Sequence, residues 1–218
     1  MQSLRQRKID VKVVVFDFDG VLYDGEHSIR FAEELGFGDA ARKLYSAMAK
    51  GEIGFEEGLR RGAELWRGVP VEFVKRMMAQ LKLRPGVDEV FATLRSLGYR
   101  TALVSCGGSN IGFLPIKRRL GIHYVYSNPV ESRNGVLTGR IVGNPMTPER
   151  KAEVLAMIAR REGVTPTECA AIGNDILDVP MFKIAGLTIG VNPTPEARRH
   201  VMFTVNPFDI KEILKYVT

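Results

Sequence analysis

The chain has 218 residues, 45% of them hydrophobic and 26% charged, with a formal net charge of +6, which supports one full core with a smaller accessory lobe and excludes a disordered chain. Lys and Arg are interspersed with Asp and Glu, the only dense basic cluster being RQRK at 5–8, so no nucleic-acid interface is expected. Two cysteines, Cys106 and Cys169, make no disulfide framework or metal spacing, no apolar stretch reaches membrane-spanning length, and MQSLRQRKID lacks a signal-peptide centre, so the expectation is a cytoplasmic protein without membrane contact.

The first element is VKVVVFDF (11–18), an apolar β-branched run that reads as a buried strand. Residues 25–84 carry the helical patterns IRFAEELG, ARKLYSAMAKG, FEEGLRRGAELW and VEFVKRMMAQLK with no strand among them, and RPG at 84–86 marks the return to alternation. There follow a helix over 87–98, strands over 99–105 and 123–128, a small hairpin over 135–143, a helix over 148–163, and strands over 168–173 and 187–191. Strands alternating with helices predict an α/β fold, a Rossmann-like parallel sheet with helices on both faces, built from 1–24 and 85–218. The insertion 25–84 cannot belong to that sheet and is expected to form a small all-helical cap over its edge.

In an open parallel sheet, ligands bind beyond the carboxyl ends of the strands. Three strand ends carry chemistry: FDFDG, SCGGSN and GNDILD. Together they supply Asp17, Asp19, Asn174, Asp175 and Asp178 as oxygen donors, Ser105 as a hydroxyl, and glycines that free backbone amides. Oxygen donors without His or Cys suit Mg²⁺, which commonly takes a substrate phosphate as a further ligand; Lys151, near a helix start, offers the cation that a phosphate site wants.

Taken singly, each signal has an ordinary reading. D-x-D-G is a polar strand end with turn-forming aspartates, Ser105 a loop hydroxyl, Lys151 a solvated helix residue, and GNDILD a helix-capping loop. An EF-hand is excluded because its third carboxylate would fall at Val21 and its glycine at Leu22. A cysteine phosphatase built on Cys106 would need an arginine where Gly112 stands, so a packed thiol is expected. His27, His123 and His200 are too scattered to argue as a cluster.

In order and at strand ends, these pieces resemble the motifs of the haloacid dehalogenase (HAD) superfamily of phosphatases, and within it the phosphoserine phosphatase branch. DFDGV (17–21), Ser105, Lys151 and GNDILD (173–178) match its four motifs, while NGVLTG (134–139), MFKIAGLTIGV (181–191) and IKEILKYV (210–217) continue the likeness. The resemblance implies a HAD-like core and Mg²⁺-dependent hydrolysis of a small phosphorylated metabolite through an aspartyl-phosphate. It makes Asp17 the nucleophile and Asp19 the general acid and base. It gives Mg²⁺ the Asp17 carboxylate, the Asp19 carbonyl and the fourth motif, with Asn174 or Asp175 as the alternative ligands and Asp178 at the second acidic position. Ser105, Lys151 and the backbone around Cys106, Gly107 and Gly108 would hold the phosphoryl oxygens. From the cap, Glu26, Phe55, Arg60 and Arg61 are the candidate substrate contacts.

The sequence departs from the branch at three places: Val21 stands for a threonine, Asn174 for an aspartate, and Gly62 for a substrate-binding arginine. Phosphoserine is therefore expected to be a poor substrate, since its carboxylate would lack a bidentate partner. A phosphomutase and a catalytically weak phosphometabolite-binding relative remain the alternatives.

Overall fold

The computed structural model describes residues 10–218; the basic cluster at 5–8 lies outside them. In chain order, β1 (Val13–Phe16) is followed by four helices, α1 (His27–Glu34), α2 (Gly38–Ala49), α3 (Phe55–Leu65) and α4 (Val71–Gln80). Next come α5 (Val87–Ser96), β2 (Arg100–Ser109), α6 (Leu114–Leu120), β3 (Tyr124–Asn128), β4 (Val130–Arg133), β5 (Val136–Ile141) and α7 (Pro148–Arg161). The chain closes with β6 (Cys169–Gly173), α8 (Val179–Phe182), β7 (Leu187–Val191), α9 (Pro195–Arg198), β8 (Phe203–Val205) and α10 (Leu214–Val217).

Six strands form one parallel sheet in the order β3-β2-β1-β6-β7-β8. Both faces are buried, as a parallel sheet requires, and the alternation along β1 shows how. Val14 and Phe16 pack with Val90, Phe91 and Leu94 of α5, whereas Val13 and Val15 pack with Val154, Leu155 and Ile158 of α7. The chain runs outward from β1 through β2 to β3, then crosses back to β6 on the other side of β1. The switch point therefore lies at β1.

The insertion between β1 and α5 is helical, but it is rooted in the main core. Phe31 of α1 and Met77 and Met78 of α4 join the same apolar cluster as the sheet face, leaving α2 and α3 as the outer layer. Two short runs of pairing tie this segment to the rest: Tyr23 bridges Leu83, and Pro70 bridges Val136.

The hairpin lies elsewhere than 135–143. Its strands are β4 and β5, so 136–141 is one strand and its partner begins at Val130. The pivot is Asn134-Gly135, both at positive φ (50° and 79°), the dipeptide that a tight hairpin turn favours. Several short elements escaped the periodicity reading, α6 and β8 among them. The first has only seven residues and the second three, too few to establish a period.

Candidate active site

The parallel register assembles the site. Phe16 pairs with Leu103 on one side and Ile172 on the other, so the residues just past these three lie side by side at the carboxyl edge. The ladder at β1 ends one residue before Asp17, whose amide still donates to Ile172 O at 2.9 Å. The chain then turns on Phe18, whose carbonyl accepts the amides of Val21, Leu22 and Tyr23. One cavity is lined by Asp17, Asp19, Glu26, Phe55, Ser105, Cys106, Gly107, Lys151 and Asp175. Nine of the residues singled out in the sequence thus converge.

Lys151 is one turn inside α7, whose start is set by Pro148 and by Thr147 Oγ1 accepting the Arg150 amide. It is 1% exposed. Its Nζ lies 2.9 Å from Asp17 Oδ1 and 2.6 Å from Asp178 Oδ1. Burial alone would lower its pKa, but Asp17 and Asp178 outweigh that and hold the ammonium well above its usual value. Asp17, 7% exposed, is pushed well above the carboxylate range by burial and by Asp178 and Asp175, with Lys151 opposing. Asp175 is raised by burial and by Asp178. One ammonium thus faces three carboxylates, and the site calls for a further cation.

Asp178, matched in the sequence to the second acidic position of the fourth motif, lies behind Lys151. It is fully buried, with Oδ1 on that ammonium and Oδ2 accepting the amides of Asn174 (2.8 Å) and Asp175 (3.3 Å). Gly173 is obligatory beside it, since a Cβ there would come within 2.3 Å of Asp178 Cγ.

Among the described residues no group of three His, Cys, Asp or Glu stands as a metal cage. A mixed oxygen set fits better. Asn174 Oδ1 is buried without a hydrogen-bond partner among the described residues, an orphaned acceptor of the kind a hard cation satisfies. Its side chain lies against Gly20, which at φ 73° has no Cβ to displace it.

Asp19 has a partner that sequence reasoning missed. The buried His27 donates its backbone amide to Asp19 Oδ1 at 2.9 Å and directs ring Nδ1 at both carboxylate oxygens, each at 2.8 Å. The imidazole is wedged edge-on among Phe18, Phe31 and Phe113. Nothing local signals this contact, which arises because α1 begins directly over the turn after β1. Tyr45 of α2 was also missed; it lines the same cavity, and burial, then Asp19 and Glu26, raise its hydroxyl pKa. Glu26, at the rim, is pushed up to about 7 by desolvation and by Asp19, with His27 opposing.

Ser105 Oγ accepts the Gly107 amide at 3.1 Å. Burial pushes the Cys106 thiol up to about 12, the opposite of what a thiolate nucleophile requires. Neither Arg60 nor Arg61 lines the cavity that holds Asp17 and Asp19. Arg60 binds Glu56 (2.8 Å) and the carbonyls of Ile141 and Gly143, and Arg61 binds Glu57 (2.8 Å) on the exposed side of α3. Each residue along a helix turns about 100°, so with Gly62 facing inward neither guanidinium does.

Residues 11–186 match the family model of haloacid dehalogenase-like hydrolases. The chain is 38% identical over 192 residues to a phosphoserine phosphatase of Archaeoglobus fulgidus, covering 88% of this chain but 56% of that protein. To a phosphoserine phosphatase of Methanocaldococcus jannaschii it is 32% identical over 206 residues, covering 94% and 97%. A solved phosphoserine phosphatase, described as a phospho-aspartyl intermediate analogue, superposes with a TM-score of 0.82 at 32% identity, covering 96% of this chain and all of that one. Among the described residues no helix is long and apolar enough to cross a membrane.

Proposed function

The chain belongs to the haloacid dehalogenase-like hydrolases, and from that membership and the site's geometry we propose that it is a Mg²⁺-dependent phosphatase of small phosphate monoesters, working through an aspartyl-phosphate on Asp17. The observation that carries the reading is the pair Asp17 and Asp19 facing one cavity, with Lys151 Nζ 2.9 Å from Asp17 Oδ1. A phosphometabolite-binding module needs neither a nucleophile nor an acid beside it.

In this reading the Asp17 oxygen not engaged by Lys151 attacks phosphorus. The P–O bond to the alcohol breaks as the Asp17–P bond forms, and protonated Asp19 gives its proton to the leaving oxygen. Water then attacks phosphorus, Asp19 takes its proton back, and phosphate leaves with Asp17 regenerated. Lys151 and Ser105, with the Cys106–Gly107 backbone, hold the phosphoryl oxygens and offset their charge. The Asp17 carboxylate, the Asp19 carbonyl and Asn174 Oδ1, with Asp175 adjacent, would hold Mg²⁺, which when bound neutralises phosphate charge. Residues 25–84 act as the cap on a core of 1–24 and 85–218. Two buried free thiols, Cys106 and Cys169, support a reducing, cytoplasmic setting.

The test is phosphate release from p-nitrophenyl phosphate with and without Mg²⁺. Asp17→Asn is expected to fold as the parent and lose turnover, because the amide is nearly isosteric but not nucleophilic. Near-parental turnover in that variant sinks the mechanism.

A further inference from the structure

Resting on the phosphatase reading, we propose that the cavity beneath the outer helices receives an uncharged, apolar leaving group, so that the preferred substrates are monoesters of short alkyl or aryl alcohols and not of amino acids.

The cavity adjoins the phosphate site and shares Tyr45, Met48, Leu59, Cys106 and Gly107 with it. Gly107, common to both, packs directly against the general acid and its partner: a Cβ there would stand 3.0 Å from Asp19 Oδ2 and 3.4 Å from the His27 ring. An alcohol leaving from Asp19 departs beside the wall that the two spaces share. The space open to the centre of a water-sized sphere is about 80 Å³. At roughly 10–15 Å³ per water centre it holds about five to eight water-sized groups.

Its lining decides the chemistry. Phe31, Leu44, Met48, Leu59, Trp66 and Met78 converge from all four helices of the insertion, and no Lys, Arg, Asp or Glu side chain lines it. The polar groups present are largely spent on the protein. His27 is held by Asp19, Ser109 Oγ accepts the Gly112 amide at 3.1 Å, and Asn128 bonds Cys106 O and the Met146 amide. Gly62 also faces this space; a Cβ there would meet only Leu44 Cδ2, at 3.5 Å. The guanidiniums of the two preceding residues are committed elsewhere, Arg60 to Glu56 and to the Ile141 and Gly143 carbonyls, Arg61 to Glu57 on the exposed side of α3. A carboxylate carried into this cavity would be desolvated with no cation to meet it. A methylene would be taken from water into hydrocarbon, a gain of about fourfold in binding per group.

The experiment compares kcat/KM of the Mg²⁺-loaded, full-length protein for methyl, ethyl, propyl and butyl phosphate, phenyl phosphate and phosphoserine, with acetyl phosphate as a reference whose acetate leaving group departs without a proton from the acid. The expected result is a rise of about threefold or more per methylene, with phosphoserine at least about tenfold below butyl phosphate. Gly62→Leu, filling the space, is expected to flatten the alkyl series, and Gly62→Arg to raise phosphoserine relative to butyl phosphate. A flat series in the parent, or phosphoserine equal to or above butyl phosphate, overturns the inference while acetyl phosphate turnover leaves the phosphatase reading standing. No phosphate release from any of these compounds, acetyl phosphate included, overturns both. If either Gly62 variant fails to fold, the alkyl series in the parent decides alone.

Discussion

At the residue scale the contact between Asp19 and His27 sets the sharpest expectation. A general acid contributes only while its proton points at the leaving oxygen, and His27 clamps both Asp19 oxygens at 2.8 Å. His27→Phe keeps the ring's packing among Phe18, Phe31 and Phe113 but removes the hydrogen bond. Expected is a loss of roughly tenfold or more in kcat for an alkyl phosphate, which needs the acid, and a much smaller loss for p-nitrophenyl phosphate, whose phenolate leaves unaided. Equal losses on both would assign His27 to packing. The cysteines give a second test: burial pushes both Cys106 and Cys169 up to about 12. Neither thiol is expected to react with Ellman's reagent at pH 8 until denaturant unfolds the chain; rapid reaction of Cys106 in the native protein would reopen a thiolate chemistry. Asp17, Ser105, Lys151 and Asp175 were legible because each belongs to a motif at a predicted strand or helix end. His27 and Tyr45 were not, because a lone His or Tyr on a helix has no local mark that distinguishes a partner of the site from a core side chain.

At the element scale the site depends on where α7 starts and on how β6 meets β7. Thr147 caps α7 through the Arg150 amide, and Lys151 sits in the next turn. Thr147→Ala is expected to cost about 1 kcal/mol in urea unfolding and to lower activity, since the same turn aims the ammonium; unchanged stability would mean that Pro148 alone sets the start. Gly186, entering β7, lies against the backbone of Thr167: a Cβ there would fall 1.8 Å from the Thr167 carbonyl oxygen. A backbone atom cannot rotate away, so Gly186→Ala is expected to cost about 2–3 kcal/mol, and a neutral substitution would show that the 165–168 turn can move. The periodicity that revealed α5, α7 and β7 failed for the hairpin. There the Asn134-Gly135 turn, not the apolar alternation after it, determines which strands pair.

At the scale of the whole molecule the dominant feature is a crowding of carboxyl groups at the switch point, Asp17 and Asp178 sharing the Lys151 ammonium and Asp175 close by. A divalent cation that binds only the folded state is therefore expected to stabilise it. Mg²⁺ at 100 times its dissociation constant would contribute about 2.7 kcal/mol, raising Tm by roughly 5–10 °C for a chain of this size, and EDTA would reverse the shift. Asn174→Asp is expected to lower the Mg²⁺ concentration needed, by adding charge where Asn174 Oδ1 has no partner among the described residues. If Asp175→Ala and not Asn174→Ala abolishes the shift, Asp175 is the ligand. The sequence by itself determined the parallel α/β sheet, the helical insertion after β1 and the strand-end residues that carry the chemistry, because burial on both faces writes apolar runs and a ligand edge writes polar breaks between them. Only the tertiary structure decided that Asp178 lies against Lys151, that Arg60 turns to Glu56 and the end of β5 and Arg61 to Glu57, and that Gly62 opens into an apolar cavity. Those are questions of which way a side chain turns on an element already recognised, and that rotation is set by packing against segments far away in the chain.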